Sequence, residues 1–238
     1  MSEFSLQKYD TKETIYCTVD KLRYALGISS YPIDAKLIVQ NCCKDPKIEY
    51  LNFDTNDICG VLYKGDISTT VALNQNRSES QQNFDCMHEG IHYFSHDISY
   101  CKCVCSEKVI KQERSIEYQA NEGAAQLLVP YELFIPEVVD LFNANMSSSD
   151  IDGHIAELAG KYGVTDAVIA VRLRSLKYEI SQYISGIPIE RIRLLSDTRQ
   201  KQEGIVVESI MDIRDQRFKE EVLRTFHFYP KETNIYAT

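Results

Sequence analysis

An α+β fold, with a small twisted β-sheet packed on a motif-bearing helix and followed by a helical C-terminal part, is predicted by three features of the sequence. Between Lys47 and Leu73 the chain is rich in β-branched and aromatic residues and is broken by Lys64-Gly65-Asp66. From Phe84 to Phe94 large apolar residues recur at steps of 3, 4 and 3, the period of a helix. From Ser149 onward helical spacing returns, interrupted once by Gly163-Val164-Thr165.

Taken in order, Tyr16 to Gly27 places Val19, Leu22 and Leu26 on one helical face and stops at a glycine. A second helix is expected to start at Pro32, with Ile33, Leu37 and Ile38 as its core face. Ile48 to Phe53, Ile58 to Tyr63 and Ile67 to Leu73 read as a meander of about three strands. A polar loop, Asn74 to Gln82, then leads to a short helix with Phe84, Met87, Ile91 and Phe94 inward. The next helix, Glu113 to Leu128, is expected to bury Ile116, Ala120, Ala124 and Leu127 and to end before Pro130, which restricts Val129 and lacks a donor. Ile151 to Tyr162 and Asp166 to Tyr178 form a helix pair with Thr165 as N-cap, and a further helix is expected from Asp212 to Phe226. The expected organisation is a catalytic domain over 1–145, a helix-turn-helix-like subdomain over 146–180 and an extension of unassigned role over 181–238.

At 238 residues and 44% hydrophobic content the chain has enough material for one large core. The polar stretch Met1 to Asp10 and the absence of any apolar run near the roughly 20 residues of a membrane span point to a cytoplasmic protein without a secretion signal. A net charge of -9 opposes binding to phosphate backbones, so direct nucleic-acid binding is not expected. The eight cysteines read as reduced thiols rather than a disulfide framework.

His88-Glu89-Gly90-Ile91-His92 matches HExxH. Residues four apart on a helix differ by only about 40° in direction and about 6 Å in height, so two imidazoles can grip one ion. Glu89 is badly placed to join them as a ligand, but it can hold and deprotonate a zinc-bound water, the general-base role in metal-assisted peptide hydrolysis. HExxH also arises by chance on a solvated helix face. Against that, three of the chain's five histidines, His88, His92 and His96, fall on this one helix. Gly90 adds support, since a mid-helix glycine often marks a close approach.

A catalytic zinc keeps an open position beside three protein ligands, so a third ligand is needed. His96 follows His92 by four residues with no glycine turn between them, unlike the metzincin pattern, and reads as a helix-end or outer partner. Glu117 is the better candidate, because Ala120, Gly123, Ala124 and Ala125 let its helix come close. Asn121, one turn on, can hydrogen-bond a ligand imidazole. Glu113 and Glu122 compete with Glu117.

These blocks resemble the ImmA/IrrE metallopeptidases of bacteria, phages and other mobile elements. The resemblance spans roughly Tyr31 to Tyr178: Tyr31-Pro32-Ile33-Asp34-Ala35, the motif helix Phe84 to His96, and the run from Glu117-Tyr118-Gln119-Ala120-Asn121 through Leu127-Leu128-Val129-Pro130. It implies Glu117 as the ligand, one zinc ion as cofactor, and a protein substrate, a helix-turn-helix repressor often encoded beside the peptidase. Two positions depart from the family's pattern. Glycine commonly precedes the second histidine, where this chain has Ile91, and Gly123 stands where phenylalanine is usual. Neither is a ligand.

Ala159, Gly163 and Ile169 fit a helix-turn-helix, but the N-terminal part of its second helix offers Asp166, Ala167 and Ala170, a poor surface for reading bases. Cys101, Cys103 and Cys105 are spaced too closely for a structural zinc site and read as a loop with incidental thiols. An extended substrate is expected to add to the sheet edge at Ile67 to Leu73, and the donor that supports the oxyanion is not identified, Tyr93 and Tyr118 being merely nearby candidates. The expected function is a zinc-dependent endopeptidase acting through Glu89. The alternative is a regulator that binds DNA or a repressor without cutting, against which the intact Glu89 argues.

Overall fold

The structure, a computed structural model, describes residues 4–7, 10–54, 58–96, 102–106, 114–142 and 145–227. Its elements run α1 (Lys12–Ala25), α2 (Ala35–Cys42), β1 (Pro46–Leu51), β2 (Ile58–Lys64), β3 (Thr69–Asn74), α3 (Glu79–Ser95), β4 (Lys102–Ser106), α4 (Arg114–Leu128) and α5 (Tyr131–Val138). The helical part continues with α6 (Ser148–Tyr162), α7 (Asp166–Ser175), α8 (Lys177–Ile184), α9 (Asp197–Gln202) and α10 (Ile210–His227). This is the expected α+β architecture. None of the described helices is long and apolar enough to cross a membrane.

The sheet is not a meander. Its order is β1-β3-β2-β4, with β1 parallel to β3 and the other pairs antiparallel. The turn closed by Gly65 N–H to Ser68 carbonyl makes β2 and β3 a hairpin, and β1 pairs with the other side of β3, Ile48 opposite Val71. Burial explains the order: five of the six residues of β3 are buried and none of β1 is. Pro46, Lys47 and Glu49 suit an edge, where a missing donor and charged side chains are tolerated. The expected substrate edge at Ile67 to Leu73 is therefore corrected, since β3 is central and the edges of the described sheet are β1 and β4. The cysteine cluster is not a simple loop: Lys102–Ser106, which includes Cys103 and Cys105, is strand, and Cys101 lies outside the described residues.

Three helix boundaries move, the first two for local reasons. The first helix begins at Lys12 because the Thr11 side chain accepts from Thr14 N–H. The second begins at Ala35 rather than Pro32, because the Asp34 carboxylate accepts from the N–H groups of Lys36 and Leu37. Its buried face is Ala35 and Val39, while Leu37 is 54% exposed. The helix after Thr165 ends at Ser175 rather than Tyr178, and α8 begins two residues later. The Lys12 ammonium takes the Ser175 carbonyl at 2.6 Å and the Glu179 carboxylate at 2.9 Å, a buried pair that draws the break inward. Between α6 and α7 the chain turns at Gly163 with φ 66°, and a Cβ there would meet Pro32 at 2.8 Å, so only glycine fits.

The helical part and α1 are joined to α4 by a buried polar network. Arg172 of α7 donates to the Val129 carbonyl (3.1 Å), the Gln126 side chain (2.6 Å) and the Tyr16 hydroxyl, and Tyr16 donates to Glu122 of α4 (2.6 Å). Beyond α8, Glu179 also accepts from Leu195 N–H at 3.0 Å, and Arg214 of α10 pairs through two nitrogens with Asp152 of α6 at 2.9 and 2.6 Å.

Removing one partner of the buried Lys12–Glu179 pair leaves a charge without compensation. Lys12→Met is expected to cost about 3–5 kcal/mol of unfolding free energy. Lys12→Met with Glu179→Gln, which keeps an acceptor for Leu195, should regain more than half of it in urea titrations.

Candidate metal centre

The motif helix α3 is longer and more deeply buried than its apolar stripe implies. Ser78 caps it, with a reciprocal bond to Gln81, and every residue from Asp85 to His92 is buried. Met87 and Ile91 face the core as expected, while His88, Glu89 and His92 on the other side are also 0% exposed. A solvated helix face is excluded, and buried polar groups at this depth need partners.

Those partners come from α4. His88 Nε2 and His92 Nε2 are 3.0 Å apart, Glu117 Oε2 lies 3.2 Å from the first and Glu117 Oε1 3.4 Å from the second. These three residues form a buried group that can hold a metal ion, and no other such group occurs among the described residues. The outer imidazole nitrogens are bonded too. His88 Nδ1 faces the Asn121 side-chain oxygen at 3.0 Å, and His92 Nδ1 faces His96 Nδ1 at 2.9 Å. An amide oxygen can only accept, so His88 carries its proton on Nδ1 and points the Nε2 lone pair inward. The inner atoms are then lone pairs converging from two imidazoles and a carboxylate, an arrangement held together only by a proton or a cation.

The electrostatics agree. Burial is the largest influence on His88 and pulls it down as a base, but Glu117, the Glu89 charge and Asn121 together outweigh it and the pKa is raised, so a proton can answer the carboxylate in the metal-free site. Burial pushes Glu117 up, yet its interactions with the His88 and His92 rings hold it at about 2. His92 is lowered, by burial first.

Glu89 stands apart. Both its oxygens are buried without a hydrogen-bond partner among the described residues, and burial pushes its pKa to about 8. It packs on the sheet at Gly60 of β2, beside the irregularity in the β2–β4 pairing, where a Cβ would lie 3.3 Å from Glu89 Oε1. An acid kept without a partner in such a place is the arrangement expected of a proton-transferring group rather than a structural one.

Of the competing residues, His96 contacts His92 from outside the group, and Glu122 is engaged with Tyr16. Glu113 lies outside the described residues. Tyr93 accepts from Lys44 N–H at 3.0 Å and Tyr118 lines a cleft with Lys12 and Ser196, so neither belongs to the group. Sequence reasoning missed Gln119, which bonds His96 at 3.1 Å, and Gly60. Gln119 is signalled only by its place two residues after Glu117, and Gly60 by being a glycine inside an apolar strand.

Residues 43–174 match the peptidase family described as the IrrE N-terminal-like domain. The chain belongs to this family. No curated protein matches it. The matched span runs from just before β1 into the last turn of α7 and contains the whole group of His88, His92 and Glu117, so this is an ImmA/IrrE-family metallopeptidase with a buried group that could hold a metal ion.

The two departures from the family's pattern explain each other. Ile91 is fully buried, and a Cβ on Gly123 would meet its Cγ2 at 3.0 Å, so Ile91 fills from α3 the space where a larger residue at 123 would sit. Gly90, expected to mark a close approach, does not: a Cβ there would meet Val39 and Met87 at ordinary distances of 3.5 and 3.7 Å. The close approach is at Gly123 on the other helix.

Gly123→Phe is therefore expected to be strongly destabilising, since overpacking a full core displaces side chains. Combining it with Ile91→Gly should be milder than the two single effects added, by about 1–3 kcal/mol. Thermal unfolding of the four proteins measures the coupling.

Proposed function

We propose that this metallopeptidase is a zinc-dependent endopeptidase whose substrate is a helix-turn-helix repressor of a phage or mobile element, cut in the cytoplasm. The observation that carries the zinc reading is the spacing of the inner atoms. A tetrahedral ion with bonds of about 2.0–2.1 Å sets its ligand atoms about 3.3–3.4 Å apart, and two imidazoles with one carboxylate are a known catalytic set for zinc. The two imidazole nitrogens are 3.0 Å apart, one Glu117 oxygen lies 3.2 Å from His88 and its other oxygen 3.4 Å from His92, and one ligand atom from each residue lies within 4.8 Å of the others, so each contact is close to that spacing before any ion is added. The substrate class follows from the family resemblance.

When bound, the ion supplies polarisation of the scissile carbonyl and of the attacking water, and favours ionised Glu89. His88, His92 and Glu117 would hold it, while Asn121 keeps the lone pair of His88 turned inward. Glu89 takes the proton of the attacking water and delivers it to the leaving amine nitrogen. Having no partner to give up, its carboxylate does not lose a hydrogen bond in doing so. Of the two sheet edges, β4 is the one packed on α3, so it is the edge on which an extended substrate would pair. A DNA-reading role finds less support, because Arg172, central in α7, is 1% exposed and committed to Val129, Gln126 and Tyr16.

Glu89→Gln should retain the fold and one zinc while losing about 10²- to 10⁴-fold in cleavage of a co-expressed repressor encoded nearby. Equal cleavage by both proteins would move the base elsewhere, and binding without cleavage by the wild type would favour a regulator that only captures its partner. Glu117→Gln should weaken zinc binding in chelator competition, and Glu122→Gln should leave it unchanged.

A further inference from the structure

The outer side of His92 is not bonded to solvent or to a single acceptor but to a chain of side chains that ends on the N-terminal segment. The Gln119 side chain lies 2.6 Å from the Gln7 carbonyl at one end and 3.1 Å from His96 Nε2 at the other. A carbonyl only accepts, so the Gln119 amide nitrogen must face Gln7 and its oxygen must face His96. That oxygen only accepts, so His96 carries its proton on Nε2. Neutral His96 then has a lone pair on Nδ1, which takes the proton of His92 Nδ1 at 2.9 Å. His92 is left with its Nε2 lone pair directed at His88 and Glu117.

Each link is buried: Gln119 is 2% exposed and His96 7%. The far end is anchored as well. Leu6 is 7% exposed in the core, and its N–H donates to the carbonyl of Ser95, the last residue of α3, at 2.7 Å. Residues 4–7 lie outside the span 43–174 that matches the family.

We infer that the segment 4–7 and Gln119 act through His96 as a positioning relay that selects the metal-binding tautomer of His92. The inference rests on the reading of His88, His92 and Glu117 as metal ligands. Without the Gln119 oxygen, His96 is free to carry its proton on Nδ1, against His92. His92 must then move its own proton to Nε2, where it opposes a cation.

The test uses the full chain with His96→Phe, Gln119→Leu, Leu6→Glu and the double variant His96→Phe/Gln119→Leu. Zinc affinity is measured by chelator competition, the visible spectrum of the cobalt-substituted protein reports ligand geometry, and unfolding of the metal-free proteins is followed separately. His96→Phe should weaken zinc binding about 10- to 100-fold, the range for losing an outer partner of a ligand histidine. Gln119→Leu and Leu6→Glu should each weaken it by less and shift the cobalt spectrum in the same direction. Gln119→Leu should cost nothing more once His96 is phenylalanine. A merely structural role predicts lower stability with unchanged affinity and spectrum in the folded variants, and that result overturns the relay, as does an additive double variant. Should His96→Phe not fold, folded Gln119→Leu alone decides, because unchanged affinity and spectrum in it also overturn the relay. A wild type that binds no stoichiometric metal overturns the ligand reading and the relay together, whereas one that binds zinc independently of Gln119 overturns the relay alone.

Discussion

The close approach of α4 to α3 at Gly123 is the constraint on which the rest of the site depends. A carboxylate side chain is short, and Glu117 reaches both imidazoles only if the two helix backbones are separated by little more than one side chain. Ala120, Gly123 and Ala124 make that possible: each is buried, and a Cβ on Gly123 would meet Ile91 of α3 at 3.0 Å. A larger residue at 123 without a smaller one at 91 would push the helices apart. Glu117, Asn121 and Ala124 stack one above another on the face turned to α3, so a displacement that withdrew the ligand would withdraw the partner of His88 as well.

The opposite face of α4 is held by different chemistry. Glu122 and Gln126 meet Tyr16 from α1 and Arg172 from α7, and a guanidinium buried to this depth is tolerable because Val129, Gln126, Tyr16 and, at 3.6 Å, Glu122 surround it. A helix packed by small apolar residues on one side and clamped by directional hydrogen bonds on the other has little freedom to slide or rotate. The helix-turn-helix-like pair thus contributes to the peptidase site through Arg172, a residue that a sequence reading assigns to the candidate recognition helix.

What could be read in advance follows from how local each feature is. The HExxH pair, the N-cap at Thr165 and the small-residue face of α4 are encoded within one or two turns of the chain, and helical periodicity exposes them, whereas the Ser78 cap lies in the stretch that reads as a polar loop. Strand order is not local. The hairpin turn is visible in Lys64-Gly65-Asp66, but nothing within β1 states that it will pair with β3 rather than β2, except Pro46, Lys47 and Glu49, which are edge residues in hindsight. The exchange of bulk between positions 91 and 123 looked like two unrelated departures, because they lie on separate helices and only the packing brings them together. Gln119 stayed hidden for the same reason: its two partners are 23 residues before it and 112 residues before it.

Glu89 shows the opposite relation between stability and function from its neighbours. His88, His92, His96, Gln119 and Asn121 each have an inward or outward partner, which is how buried polar groups are normally kept. Glu89 has none, and its pKa near 8 means that the metal-free fold favours the neutral acid over the carboxylate that a general base requires. A fold selected for stability alone would place an apolar side chain against Gly60. Keeping a carboxyl there makes sense if the missing stabilisation arrives with the ion and the water that the reaction uses, so that the charged form of Glu89 becomes favourable only when the site is assembled.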